Sequence, residues 1–184
     1  MDTIVWILIL LTAFNFLLKQ TFWKPVAVGA AAGIAAIFVI LMWPYAIEQS
    51  KTQIADWLSD NQLMLDTSVV LTLEIVLQMA FCLLAVHVAN YSPVKKRMML
   101  AYRLLYWFPG VLIIPVLFFG LTQAVFSFPG VSFKLIAWFF GAFVFVIIPL
   151  GRWLIKWLLP EEDLRLELFF LTNALVAILG IIAT

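Results

Sequence analysis

The chain has 184 residues, of which 66% are hydrophobic and only 11% are charged. This composition is typical of a protein that crosses a bilayer several times and excludes an ordinary soluble domain. The formal net charge of +1 gives no electrostatic basis for binding nucleic acid. A single cysteine and a single histidine exclude an internal disulfide, a Cys-based metal cluster and bis-histidine haem ligation within one chain.

Six apolar segments predict an all-α membrane bundle of about six transmembrane helices joined by short loops. A helix needs about 20 apolar residues to cross the hydrocarbon core. We expect one transmembrane domain over 1–184, with spans at about 3–18, 25–47, 67–90, 104–126, 133–150 and 160–182. The first segment is short, so whether it crosses fully is left open. Pro109, Gly110 and Pro115 predict a kink or a non-helical start in the fourth span.

The longest polar segment, 48–66, lies between the second and third spans. Within it Ile54, Trp57 and Leu58 have the i, i+3, i+4 spacing of an amphipathic helix. We predict that this segment lies on the outer surface of the membrane.

Positive charges are concentrated in three connections, 19–25, 91–103 and 151–165. These connections hold nine of the eleven cations, namely Lys19, Lys24, Lys95, Lys96, Arg97, Arg103, Arg152, Lys156 and Arg165. Because cytoplasmic loops carry an excess of Lys and Arg, this side is predicted to be cytoplasmic. Both termini then lie outside, as six spans require, and the predicted location is a bacterial inner (cytoplasmic) membrane.

Glu74 is the most informative residue because it lies inside the third span. An acidic side chain at membrane depth costs roughly 2.5–3.5 kcal/mol on insertion scales. Gln78 follows one helical turn later on the same face. The functional interpretation is that Glu74 and Gln78 form an ion- or proton-binding site in the bundle. The alternative is a structural carboxyl group that is hydrogen-bonded to Gln78, Asn15, Asn173 or a threonine.

Other residues inside the spans have simpler interpretations. Asn15 and Asn173 predict hydrogen bonds between helices and are polar partners within the bundle. His87, near the inner end of the third span, is a weak candidate for a metal or haem ligand, and no other metal site is predicted. Gly29 and Gly33 form a GxxxG motif, which predicts close helix packing either within the chain or against another subunit.

No nucleophile–base pair, phosphate-binding loop or metal-ligand spacing is present, so we expect that the chain is not an enzyme. The first functional hypothesis is a non-catalytic subunit of a membrane complex that couples an ion gradient to uptake. The alternative is a small-solute carrier, or the substrate-binding membrane component of a modular importer. A carrier would need a polar cavity at mid-depth, built from Glu74, Gln78, Asn15 and Asn173.

The segment LMLDTSVVLTLEIVLQMAF (63–81), together with the chain's size and its six short-looped spans, resembles one known group. This is the small membrane subunit, often called HmuT, that is encoded in haem-uptake operons of Bacteroidetes. The resemblance implies an accessory subunit of a haem or iron uptake complex driven by the ion-motive force, with haem in the complex and no cofactor in this chain. The implied partners are a proton-channel subunit of the MotA/TolQ/ExbB type and a large chelatase-like protein.

Overall fold

The computed structural model describes residues 2–48, 61–90 and 95–183, and each element in these ranges is an α-helix. The helices are α1 (Asp2–Gln20), α2 (Pro25–Leu41), α3 (Trp43–Glu48), α4 (Asn61–Asn90), α5 (Lys96–Trp107), α6 (Ile113–Ser127), α7 (Phe133–Leu158) and α8 (Glu162–Ala183). The prediction of an all-α fold is confirmed for the described part of the chain. The predicted surface helix around Ile54, Trp57 and Leu58 lies outside the described residues.

Three helices are long and apolar enough to cross a membrane. Their apolar stretches are Ser68–Asn90 in α4, Phe133–Leu158 in α7 and Glu162–Ile181 in α8. Shorter apolar helices occur in α1, α2 and α6. Much of the outer surface of α7 is aromatic or aliphatic, with Phe139 69% exposed, as expected for side chains that face lipid tails. The fold therefore has the character of a membrane protein.

The closest helix packing that involves small residues joins α2 to α7. A Cβ atom at Gly141 would lie 3.2 Å from the carbonyl oxygen of Ala36, so glycine lets the two backbones approach. Gly29 and Gly33 do not take part, because no described atom lies within 4 Å of a Cβ atom at either residue. The expected packing of these two glycines within the chain is therefore not found, and their contact with another subunit stays a prediction.

A layer of polar side chains lies inside the group formed by α1, α4 and α8. On one side of it Leu71, Ile75 and Val176 form an apolar cluster. On the other side a second cluster contains Leu18, Phe81, Cys82, Ile155, Leu166 and Phe169. Between them, one helical turn from each cluster, α4 carries Glu74 and Gln78. We call Thr12, Asn15, Glu74, Gln78 and Asn173 the polar layer.

The predicted fourth span is a discontinuous helix. Helix α5 ends at Trp107 and α6 begins at Ile113, so that residues 108–112 are not helical. The local cause is Pro109, which disfavours a helical conformation at Phe108, followed by Gly110 with a φ angle of 99°. Gly110 is buried. The break predicted from the Pro-Gly sequence is thus present, with Pro109 and Val111 exposed on either side of the buried Gly110.

Candidate functional site at a helix break

Glu74 is bound to the backbone at the helix break. Its Oε2 atom accepts hydrogen bonds from the N–H groups of Val111 and Leu112, each at 2.7 Å. These residues directly precede α6, where N–H groups have no partner within the helix. A carboxylate in this position also interacts favourably with the positive end of the helix dipole. Glu74 therefore connects α4 to the second half of the discontinuous helix.

Gly110 brings the backbone of the break close to this carboxyl group. A Cβ atom at residue 110 would lie 2.6 Å from Oε1 of Glu74 and 3.2 Å from Nε2 of Gln78. The φ angle of 99° is also one that side-chain-bearing residues rarely adopt. Glycine is required here both for the backbone conformation and for the close approach of Glu74.

Gln78 supports the carboxyl group and has one unsatisfied atom. Its side chain hydrogen-bonds Glu74. The amide is 4% exposed, and Oε1 has no hydrogen-bond partner among the described residues. A buried acceptor without a partner is uncommon in folded proteins and calls for a physical explanation.

One small cavity brings together the four polar residues that the sequence predicts. Asn15, Glu74, Gln78 and Asn173 all line it, and its volume is about 10 Å³. This is at the lower limit of the room that one water molecule needs. Thr12 also lines the cavity, although the sequence interpretation did not select it. Its position three residues before Asn15, on the same face of α1, is the signal that could have identified it.

The two asparagines in the polar layer make different hydrogen bonds. Asn15 accepts a hydrogen bond at Oδ1 from the hydroxyl of Thr172, so it joins α1 to α8 as expected. Asn173 Nδ2 donates instead to the carbonyl oxygen of Phe169, one turn earlier in its own helix, at 2.7 Å. Glu74 bonds the backbone of the helix break and Gln78, so of the partners that the structural alternative names, Gln78 is the one in contact with it.

The other half of the discontinuous helix is capped by groups from the α1–α2 connection. Lys19 Nζ donates to the carbonyl oxygen of Leu105 at 3.0 Å, and Trp23 Nε1 donates to that of Tyr106 at 2.6 Å. These carbonyls are in the last turn of α5, where they lack partners within the helix. A cation here also meets the negative end of the α5 dipole. One end of the break is therefore met by a hydrogen-bond acceptor, Glu74, and the other by two hydrogen-bond donors.

Lys19 is fully buried, which the sequence interpretation missed. Its Nζ atom lies 3.0 Å from the centroid of the Phe81 ring. Lys19 is the first residue after the predicted span 3–18, and burial lowers its pKa to about 7. Counting cations per loop treats every lysine alike, so this pattern contains no signal that separates Lys19 from the exposed Lys24.

Two arginines near the same end of the bundle also bind backbone carbonyl groups. Arg152, from α7, donates to the carbonyl oxygens of Gln20 and Trp23 at 3.2 and 3.0 Å. Arg165, from α8, donates to those of Leu159 and Pro160. Cations from two of the three predicted cytoplasmic connections thus meet around the α1–α2 turn.

His87 lies in the last turn of α4 and is half-buried. Among residues 2–48, 61–90 and 95–183, no three His, Cys, Asp or Glu side chains are grouped as a metal site would require. The weak assignment of His87 as a ligand remains a prediction.

No protein-family model matches the sequence, and neither a curated protein nor a solved structure is significantly similar to it. The resemblance to the haem-uptake subunit therefore stays a prediction. The function has to be inferred from the site itself.

Proposed function

We propose that this chain is a non-catalytic, multi-pass subunit of an inner-membrane complex that uses an ion gradient, with Glu74 as its ion- or proton-binding group. The observation that carries the proposal is the contact between the Glu74 carboxylate and the free N–H groups of Val111 and Leu112. Discontinuous helices whose ends meet charged groups form the ion and substrate sites of many transporters. Irregular backbone at membrane depth is tolerated where protein covers it or where it lines a cavity.

The chemistry of this contact links the charge of Glu74 to the shape of the break. An ionised carboxylate makes strong hydrogen bonds to both N–H groups and interacts favourably with the α6 dipole. A bound proton or cation weakens this attraction, so the position of α6 responds to occupation of the site. By thermodynamic linkage, any movement of α6 changes the affinity of the site in return. Such coupling is what a gradient-driven subunit needs.

We further propose six crossings with both termini outside. The crossings are residues 3–18 of α1, α2, α4, the α5–α6 discontinuous helix, α7 and α8. Support comes from the contacts of Arg152 and Arg165 near the α1–α2 turn, because the cations of the 151–165 connection then lie on the same side as the 19–25 connection.

The cargo and partners in this proposal follow from the resemblance of residues 63–81. They are haem or iron, a proton-channel subunit of the MotA/TolQ/ExbB type and a chelatase-like large subunit. The alternative of a small-solute carrier receives no support from the polar layer, because a cavity of about 10 Å³ has room for an ion or one water molecule but not for a solute.

The decisive variant is Glu74→Gln, which keeps the size and one acceptor oxygen but removes the charge. We expect it to abolish gradient-dependent uptake of haem or iron in cells while the complex still assembles, as judged by native mass spectrometry. Glu167→Gln is the matched control, because Glu167 is exposed on α8 outside the polar layer. Normal uptake by Glu74→Gln would leave Glu74 a structural residue and refute the proposal.

A further inference from the structure

We propose that the cavity beside Glu74 binds one dehydrated sodium ion. The inference rests on the proposed function, since it names the ion that the site takes. It begins from the one cavity that four predicted polar residues line together.

Several polar groups that line this cavity already donate their hydrogens to other protein atoms. Thr12 donates its hydroxyl hydrogen to the carbonyl oxygen of Leu8 at 2.8 Å. Asn173 donates to Phe169, and the Gln78 side chain bonds Glu74. Oxygen lone pairs of Thr12, Gln78 and Glu74 therefore remain as ligands for a cation.

Gln78 Oε1 is the strongest single indication of a missing ligand. The atom is buried, and no described residue donates to it. Because Nε2 is the only part of the amide that can donate to Glu74, the orientation of Oε1 follows from that contact. A bound cation would satisfy this oxygen without adding another side chain.

The charge of the site favours a monovalent ion. Among the described residues that line the cavity, Glu74 is the one carboxylate, and it provides a formal charge of −1 when ionised. Calcium sites combine several carboxylates, and magnesium keeps most of its waters, which a cavity of this size cannot hold. Three donors point at Glu74, from Val111, Leu112 and Gln78. These hydrogen bonds offset part of the cost of burying the carboxylate, and a bound cation would offset more of that cost.

The size of the site favours sodium over potassium. A volume of about 10 Å³ is at the lower limit for one water molecule, so the smaller dehydrated ion fits better.

Thermal unfolding of the full chain in detergent tests the inference at constant pH and ionic strength. We expect sodium chloride to raise Tm by several degrees in a saturable way, while potassium and choline chlorides do not. Gln78→Leu should remove the sodium effect. Gln123→Leu is the matched control, because Gln123 lies in α6 and does not line the cavity; it should keep the effect.

Equal Tm values in sodium and choline, or a sodium effect that survives in Gln78→Leu, would overturn the proposal. If Gln78→Leu does not fold, binding of radioactive sodium to the unaltered chain decides: about one ion per chain supports the site, and none refutes it. If sodium has no effect but acidification shifts Tm in the unaltered chain and not in Glu74→Gln, the site takes a proton. The proposed function would then stand and the sodium site would not, whereas normal uptake by Glu74→Gln would refute the proposed function itself.

Discussion

The chain contains the tripeptide Phe-Pro-Gly twice, at 108–110 and at 128–130, and the two glycines adopt the same φ conformation in different surroundings. Gly110 and Gly130 have nearly equal φ angles of 99° and 97°. Gly110 is buried against Glu74, whereas no described atom lies within 4 Å of a Cβ atom at Gly130. The conformation of each glycine is therefore local in origin, but its contacts depend on what packs against it.

The difference follows from how each turn satisfies its backbone. Every turn exposes N–H and C=O groups that need hydrogen-bond partners. Within the exposed second turn, the N–H group of Val131 donates to the carbonyl oxygen of Phe128 at 3.4 Å. At the first turn the N–H group of Val111 donates to Glu74 instead, and Lys19 donates to a carbonyl group in the last turn of α5.

The largest expected loss of unfolding free energy is that of Gly110→Ala, and Gly130→Ala is its comparison in the second turn. Gly110→Ala adds backbone strain of about 1–3 kcal/mol and a clash with Glu74 of about 1–3 kcal/mol, for a total loss of about 2–6 kcal/mol. Gly130→Ala adds only the strain. Urea unfolding of both variants in detergent measures the difference. Equal losses of unfolding free energy would show that the Glu74 contact contributes nothing to the first turn.

A smaller loss is expected when the carboxyl group itself is removed. Glu74→Leu leaves the N–H groups of Val111 and Leu112 without an acceptor, at about 1–3 kcal/mol each. Because membrane helices find other partners when they separate, we expect a total loss of roughly 2–4 kcal/mol. Glu74→Gln keeps one acceptor oxygen and should lose less than about 1 kcal/mol in the same unfolding experiment.

If Glu74→Leu and Glu74→Gln were equally stable, the capping of α6 would not depend on the acceptor. Backbone amide hydrogen exchange can be measured on the same two variants. Exchange at Val111 and Leu112 should be faster in Glu74→Leu only. Unchanged exchange there would mean that another group replaces the carboxyl oxygen.

The smallest expected effect is a dependence of the unfolding free energy on pH, caused by Lys19 at the other end of the first turn. The pKa of Lys19 falls from its ordinary value of 10.5 to about 7 in the folded chain because the amine is buried. Between about pH 7 and 10.5 the unfolded chain holds a proton that the folded chain has lost, so the free energy of unfolding rises with pH. Below about pH 7 both states hold the proton and the dependence disappears.

The variant Lys19→Met removes this contribution. Relative to it, the unaltered chain should gain up to about 1.4 kcal/mol per pH unit above pH 7, measured by thermal unfolding between pH 7 and 9. Lys134→Met is the control, since Lys134 is exposed just after the second turn. Parallel pH curves for the unaltered chain and Lys19→Met would contradict the burial of this amine.

The all-α membrane character, the break at Pro109 and Gly110, and the burial of Glu74 and Gln78 can all be predicted from the sequence alone. The physical reason is that each depends on local quantities. These are the apolar length of a segment, the fixed φ of proline, and the cost of an acid among apolar residues. The same cost implies that polar residues in different spans face inward, which is why Asn15 and Asn173 share a cavity with Glu74.

Only the tertiary structure decided which atoms these residues meet. The partners of Glu74 are two backbone N–H groups of another helix, and backbone donors have no signature in the sequence. The burial of Lys19 depends on where α4 and α5 pack, and Gly141 rather than Gly29 or Gly33 allows the close approach of α2 and α7. Helical periodicity specifies the face on which a residue lies, but the neighbour of that face depends on how separate helices pack against one another.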